Sequence, residues 1–423
     1  MSERSASARG VPNTAGGGDR GRVSTPQPGV HRLDGTVRTY AWGSRTAIAG
    51  IQGRSVPSPE PEAELWLGAH PAAPSRIGGR PLDEIVAADP RGVLGPAVAA
   101  EFGPRLPYLM KLLAAEKPLS LQAHPDAEHA RAAFAAEEAA GLPPELRNYR
   151  DPHHKPELLV ATEDFEALCG FRAPEAAADL LDRLSVPALR PVTALLRGPG
   201  GLREAFTATL IRPPAARAAL VTEVAAACAE LADADPAYEV AARLAVHHPG
   251  DAGVVVSLLL NHVRLAPGEA IWMPAGNLHA YLRGVGVEVM AAGDNVLRGG
   301  LTPKRVDVPE LLRVVRFEPL TTPILPPEPV APGVVRWSPP VREFELTRVT
   351  LTARTPRADL VAEGPRVLLC VSGAVTAGQD GRALDLAAGT AAFVPAGVRV
   401  LSLTGHGDLY QAAPARSRPG TGL

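Results

Sequence analysis

From about Val30 the apolar residues fall in short runs cut by Gly and Pro, a pattern that predicts strands and turns rather than long helices. The pattern changes over 80–116, where P-L-D-E-I-V-A-A-D predicts a short helix and Y-L-M-K-L-L-A-A-E a buried strand. The stretch A-E-H-A-R-A-A-F-A-A-E-E-A-A (127–140) is made of strong helix formers and stops at Gly141. Over 173–248 the period becomes helical throughout. In A-A-R-A-A-L-V-T-E-V-A-A-A-C-A-E-L the residues Leu220, Val221, Val224, Cys228 and Leu231 recur on one face. Strand-like sequence flanks this block on both sides, so it reads as a helical insert. A Pro-rich stretch, T-T-P-I-L-P-P-E-P-V-A-P-G (321–333), reads as a hinge before a last segment of short strands.

That last segment repeats an earlier one. L-A-P-G-E-A-I-W-M-P-A-G-N-L-H-A-Y-L (265–282) aligns without a gap on L-A-A-G-T-A-A-F-V-P-A-G-V-R-V-L-S-L (386–403), with eight of eighteen positions identical. Each copy reads as turn, apolar strand, Pro-Ala-Gly turn and strand, the spacing of a cupin-type jelly roll. The fold class expected is therefore mainly β with a helical insert: two cupin-type jelly-roll barrels plus an α-helical domain. The boundaries expected are a disordered tail at 1–28, a first barrel from 29–172 and 249–320, the insert at 173–248, and a second barrel at 321–423. His279 in the first copy falls on Val400 in the second, so only the first barrel is expected to hold a metal at this place.

Composition narrows the classes. With 46% hydrophobic and 21% charged residues the chain is an ordinary globular one, long enough for two or three cores. A formal net charge of −2 offers no electrostatic footprint for nucleic acid or an anionic membrane. The three cysteines, Cys169, Cys228 and Cys370, form no CxxC pair and no disulfide framework. No apolar run approaches the roughly 18 residues of a membrane helix, and residues 1–28 lack a signal-peptide apolar core. A soluble, cytoplasmic protein is expected.

Three remote stretches carry the candidate chemistry: P-L-S-L-Q-A-H-P-D (118–126), D-P-H-H-K-P-E-L-L (151–159) and M-P-A-G-N-L-H-A-Y-L (273–282). They offer Gln122, His124, Glu157 and His279, a mixed nitrogen and oxygen set suited to zinc or a similar divalent ion. Gln122 and His124 are two apart, as side chains on one face of a strand are. Lys155 shares the face of Glu157 by the same rule. Downstream, Glu288 alternates with Val287 and Val289 and so faces away from them. Arg298, among glycines, and Lys304 are natural partners for a phosphate or sugar hydroxyls.

Taken together, R-T-Y-A-W-G (38–43), A-E-L-W-L-G-A-H-P (63–71), Y-L-M-K-L-L-A-A-E-K-P-L-S-L-Q-A-H-P-D (108–126), H-K-P-E (154–157) and D-N-V-L-R-G-G-L-T-P-K (294–304) resemble the signature segments of the type I mannose-6-phosphate isomerases. The resemblance implies one Zn2+ per chain on Gln122, His124, Glu157 and His279, with Arg298 as the family's active-site arginine. It implies the interconversion of mannose 6-phosphate and fructose 6-phosphate by a monomer. Within that reading Glu288 and Lys155 are both candidates for moving the proton, Arg298 for stabilising the enediolate, and Lys304 with Ser120 for binding the phosphate. Two rivals remain in the same fold: a metal-dependent cupin that oxidises or decarboxylates a small molecule, and a silent sugar-binding protein. Gly293, where many relatives carry Ser, is a departure from the family's pattern.

Overall fold

The computed structural model describes residues 29–321 and 324–416; the tail expected over 1–28 lies outside them. Two ten-stranded antiparallel sheets dominate, each wrapped around its own apolar interior. In the first, the strand Tyr108–Ala115 is buried at every position, as its apolar run predicts. It pairs with Glu64–Gly68 on one side and with the long strand His279–Ala291 on the other. The strand Glu157–Ala161 is equally buried. Its Leu158 and Val160 join Val287 and Val289 in a core shared with Val367, Leu369 and Phe393 of the second sheet. Its Leu159 and Ala161 point instead into the first barrel. A strand covered on both faces has no polar alternation, so the run L-L-V-A follows from this position between two cores. Each such Leu or Val contributes about 1.5–3 kcal/mol by leaving water.

The long strand His279–Ala291 turns the barrel's corner. Its first half pairs with Phe165–Phe171 and its second with Glu157–Ala161 and Tyr108–Ala115. The switch falls at Gly284 (φ 123°), where a Cβ would lie 2.6 Å from the carbonyl oxygen of Asp164. The second sheet repeats this construction. Val400–Ala413 first pairs with Arg357–Val361 and Ala374–Gln379, then with Glu345–Leu351 and Arg366–Cys370. The internal repeat of the sequence is thus a repeat of structure: Ala270–Met273 pairs with Glu157–Ala161 as Ala391–Val394 pairs with Arg366–Cys370.

Helices Pro174–Arg183, Arg190–Leu196, Gly201–Leu210, Pro214–Glu230 and Pro236–His247 fill the block with helical period. Leu220, Val221, Val224 and Cys228 are buried there, and Leu231 packs at the edge of the same cluster. The helix Ala127–Ala139 is capped by Asp126, whose side chain accepts from the His129 backbone N–H. Two expectations need correction. The strand His31–Leu33, assigned to the first barrel, pairs with Ala391–Val394 of the second sheet, whose edge it completes. The Pro-rich stretch is no free hinge: Leu325 donates to the Ala270 carbonyl and Glu328–Ala331 forms an edge strand on Val334–Trp337. Exposed edge strands tolerate prolines that have no N–H to donate. Among the described residues no helix is long and apolar enough to cross a membrane.

Candidate metal centre and active site

The four metal candidates meet at one end of the first barrel. Gln122 sits in the short strand Leu121–Ala123, opposite His279 on one side and Arg298 on the other. His124 lies one residue past that strand rather than within it. Glu157 and His279 each open a strand. His279 Nε2 stands 3.1 Å from Glu157 Oε2, His124 Nε2 stands 3.4 Å from the same oxygen, and Gln122 Nε2 is 3.3 Å from His279 Nε2.

Protonation makes this arrangement informative. His124 Nδ1 faces the Asn295 carbonyl at 2.7 Å and His279 Nδ1 faces the Asn277 carbonyl at 3.0 Å. Each ring therefore donates outward from Nδ1 and turns the bare Nε2 lone pair inward. Burial pushes the His124 pKa down to about 4, which keeps the ring neutral. Burial works to raise the Glu157 pKa, but the charge of Lys155 holds it well below the usual carboxylate range. His124 Nε2 and Glu157 Oε2 are buried and have no hydrogen-bond partner. Lone pairs converging without a proton between them repel, and a cation resolves the conflict. Ligands bonded at about 2.0–2.1 Å to a tetrahedral ion lie about 3.3 Å apart, close to the separations found here. Half a turn of the Gln122 amide puts its Oε1 where Nε2 stands and completes a four-donor set.

Beside this centre Lys155 Nζ lies 2.9 Å from Glu157 Oε1. Glu288 does face into the barrel, away from the valines, and is nearly inaccessible. Tyr281 donates to its Oε1 at 2.8 Å and Lys111 Nζ lies 2.8 Å from its Oε2. Lys111 also reaches Glu64 at 3.3 Å and lies over the Trp66 ring, whose N–H donates to Glu64. Burial raises the Glu288 pKa, partly offset by Lys111.

The other side of the mouth is basic. Arg298 is half-buried, and burial with the nearby Arg150 lowers its pKa. Lys304 is lowered chiefly by Arg298, then by burial and Arg150. The charges of these three residues act on one another, so together they form a basic patch beside the centre. Ser120 lies half-buried at the start of the neighbouring strand.

The family model for the phosphomannose isomerase type I catalytic domain matches residues 30–174. Mannose-6-phosphate isomerase of Escherichia coli K12 is 37% identical over 90% of this chain and 98% of its own length. The chain belongs to the type I phosphomannose isomerases. The apo mannose 6-phosphate isomerase of Salmonella typhimurium superposes with a TM-score of 0.85 at 35% identity, covering 92% of this chain and 99% of that one. A mannose 6-phosphate isomerase solved with zinc and yttrium gives the same score at 34% identity, over 92% of this chain and 100% of that one.

Against that family background, two site residues escaped the sequence reading. Lys111 is the one charge in the strand Tyr108–Ala115, and a lone cation in an apolar run was the available signal. Asn295 is fully buried, and its amide nitrogen donates to the Asp151 carbonyl at 2.7 Å and the His153 carbonyl at 2.9 Å. Asn295 therefore joins the candidate ligand His124 to the loop bearing Lys155. Gly293, the departure from the pattern, packs against that loop, with its Cβ position 2.9 Å from the His154 carbonyl oxygen.

Proposed function

We propose that this chain interconverts mannose 6-phosphate and fructose 6-phosphate with one zinc ion held by Gln122, His124, Glu157 and His279. The observation that carries the reading is the convergence of buried donor atoms from His124, Glu157 and His279, with His124 Nε2 and Glu157 Oε2 lacking any hydrogen-bond partner, beside the basic residues Arg298, Lys304 and Arg150. Zinc bound there supplies a Lewis acid that favours negative charge on the sugar oxygens.

The protein's own residues supply the rest. An aldose–ketose shift moves a proton between C1 and C2 through an enediol or enediolate. Both Glu288 oxygens are engaged, so its role in this reading is to anchor Lys111 and Tyr281. Lys155 Nζ, beside the proposed ligand Glu157, is the group assigned to the proton. It must first give up one proton to act as a free amine, then takes the proton from one carbon and, as the ammonium so formed, returns it to the other. Arg298, Lys304 and Arg150 receive the phosphate, with Ser120 beside them. Because Arg298 is the strand neighbour of Gln122, its charge also acts on the reacting end of the sugar. The chain is read as a cytoplasmic monomer.

The test is a coupled isomerase assay with mannose 6-phosphate on protein of measured metal content. Activity that disappears with a chelator and returns with stoichiometric zinc is expected. Full turnover in metal-free protein, or none in the zinc-loaded form, would end the assignment.

A further inference from the structure

The second barrel reaches back to the loop that carries Lys155. Between its strands Val334–Trp337 and Glu345–Leu351 the chain turns outward, and Glu343 Oε1 accepts from His154 Nε2–H at 2.6 Å. The next residue, Phe344, is fully buried in the core between the sheets. Its ring meets Trp272 nearly edge-on at 6.3 Å. Trp272 is the cross-strand partner of Leu158, one residue from the ligand Glu157. The backbone at Glu343 is thus held beside His154 by its buried neighbour.

The loop's opposite side is held by Asn295, whose side chain bonds the backbone of Arg150, Asp151 and His153. That grip ends one residue before His154. Lys155 follows, and its reach to Glu157 depends on the path the chain takes through 154–156.

We infer that Glu343 is a positioning residue of this isomerase, acting through His154 to fix the loop from which Lys155 faces the substrate. The second barrel, which has Val400 where the first has His279, thereby supplies a part the first barrel lacks. The inference rests on the place given to Lys155 in the proposed chemistry. The contact lies at the mouth, with side-chain exposures of 23% for His154 and 13% for Glu343. Breaking a pair so shielded costs some stability, but a small misplacement of a reacting group costs far more in rate.

The experiment compares Glu343→Ala, Glu343→Gln, His154→Ala and the Glu343→Ala/His154→Ala pair in the full chain. Turnover, KM, zinc content, melting temperature and hydrogen exchange of residues 151–156 are measured for each. Glu343→Ala is expected to lower kcat roughly ten- to a hundredfold, with KM within about twofold, zinc unchanged and the melting temperature lowered only modestly. Glu343→Gln, which still accepts from the ring N–H, restores most of the loss. The double variant is no worse than His154→Ala, because one residue acts through the other. Wild-type kcat in Glu343→Ala overturns the inference. So does a loss that follows zinc or melting temperature, or a Gln variant as impaired as the Ala one. Exchange over 151–156 rises in Glu343→Ala whether or not the protein turns over. A wild type inactive on mannose 6-phosphate therefore sinks the function, and unchanged exchange sinks the grip.

Discussion

Each ligand here is defined by what its far side bonds to. His279 turns its Nε2 toward Glu157 because its Nδ1 is held by the Asn277 carbonyl. His279→Ala removes that donor and is expected to cost both the metal and the activity; metal analysis showing a full equivalent with intact turnover would contradict its role. Arg298→Ala makes the complementary case. Its guanidinium, always charged, faces anions rather than the ion, so kcat should fall strongly with zinc content intact. Loss of the metal in that variant would place Arg298 among the structural supports instead. The sequence disclosed these side chains because their types are unusual for their surroundings: a Gln and two His near turns, a Glu opening an apolar run. Asn295 escaped because its carbonyl oxygen, which orients His124, is a group every residue has.

Among the elements, the helical insert was legible from its period and its attachment was not. The helix Pro236–His247 meets the barrel through Arg243, which pairs with Glu166 on the strand Phe165–Phe171. His262 Nε2 lies 2.9 Å from the other oxygen of the same carboxylate. Burial acts to raise the Glu166 pKa, but His262 and Arg243 outweigh it and bring it down to about 2. A carboxylate near 4.3 in the unfolded chain that falls to about 2 on folding stabilises the native state above pH 4.3 or so. That contribution is lost as the pH drops toward 2. Glu166→Gln is therefore expected to destabilise by about 1–3 kcal/mol at pH 7, with the gap to wild type narrowing between pH 5 and pH 3. Denaturant unfolding at the two pH values measures this; a gap that stays constant would mean the pair contributes packing alone. Periodicity registers which face of a helix is buried, but not which distant charge that face will meet. The same limit explains His31–Leu33, whose three residues carry no mark of pairing with Ala391–Val394 far along the chain.

On the scale of the whole molecule, the duplication legible at 265–282 and 386–403 carries through to single positions. Met273 pairs with Glu157 in the first barrel and Val394 pairs with Arg366 in the second, at matching places in the repeat. The second barrel thus has a guanidinium where the first has its bridging carboxylate. Arg366 is fully buried, and its Nη2 donates to the Val398 carbonyl, the counterpart of the Asn277 carbonyl that orients His279. Burial lowers its pKa to about 10, which still leaves it charged near neutrality. A fixed positive charge at that point repels a second cation whatever ligand is added nearby. Val400→His puts a histidine at the sequence counterpart of His279, at a half-exposed position where His279 itself is buried, and is still expected to leave one zinc per chain. Only with Arg366→Glu added would the donor set of the first barrel begin to reappear. Two equivalents of zinc in Val400→His alone, measured on protein stripped and reloaded, would show that the charge of Arg366 does not keep a cation out of the second barrel.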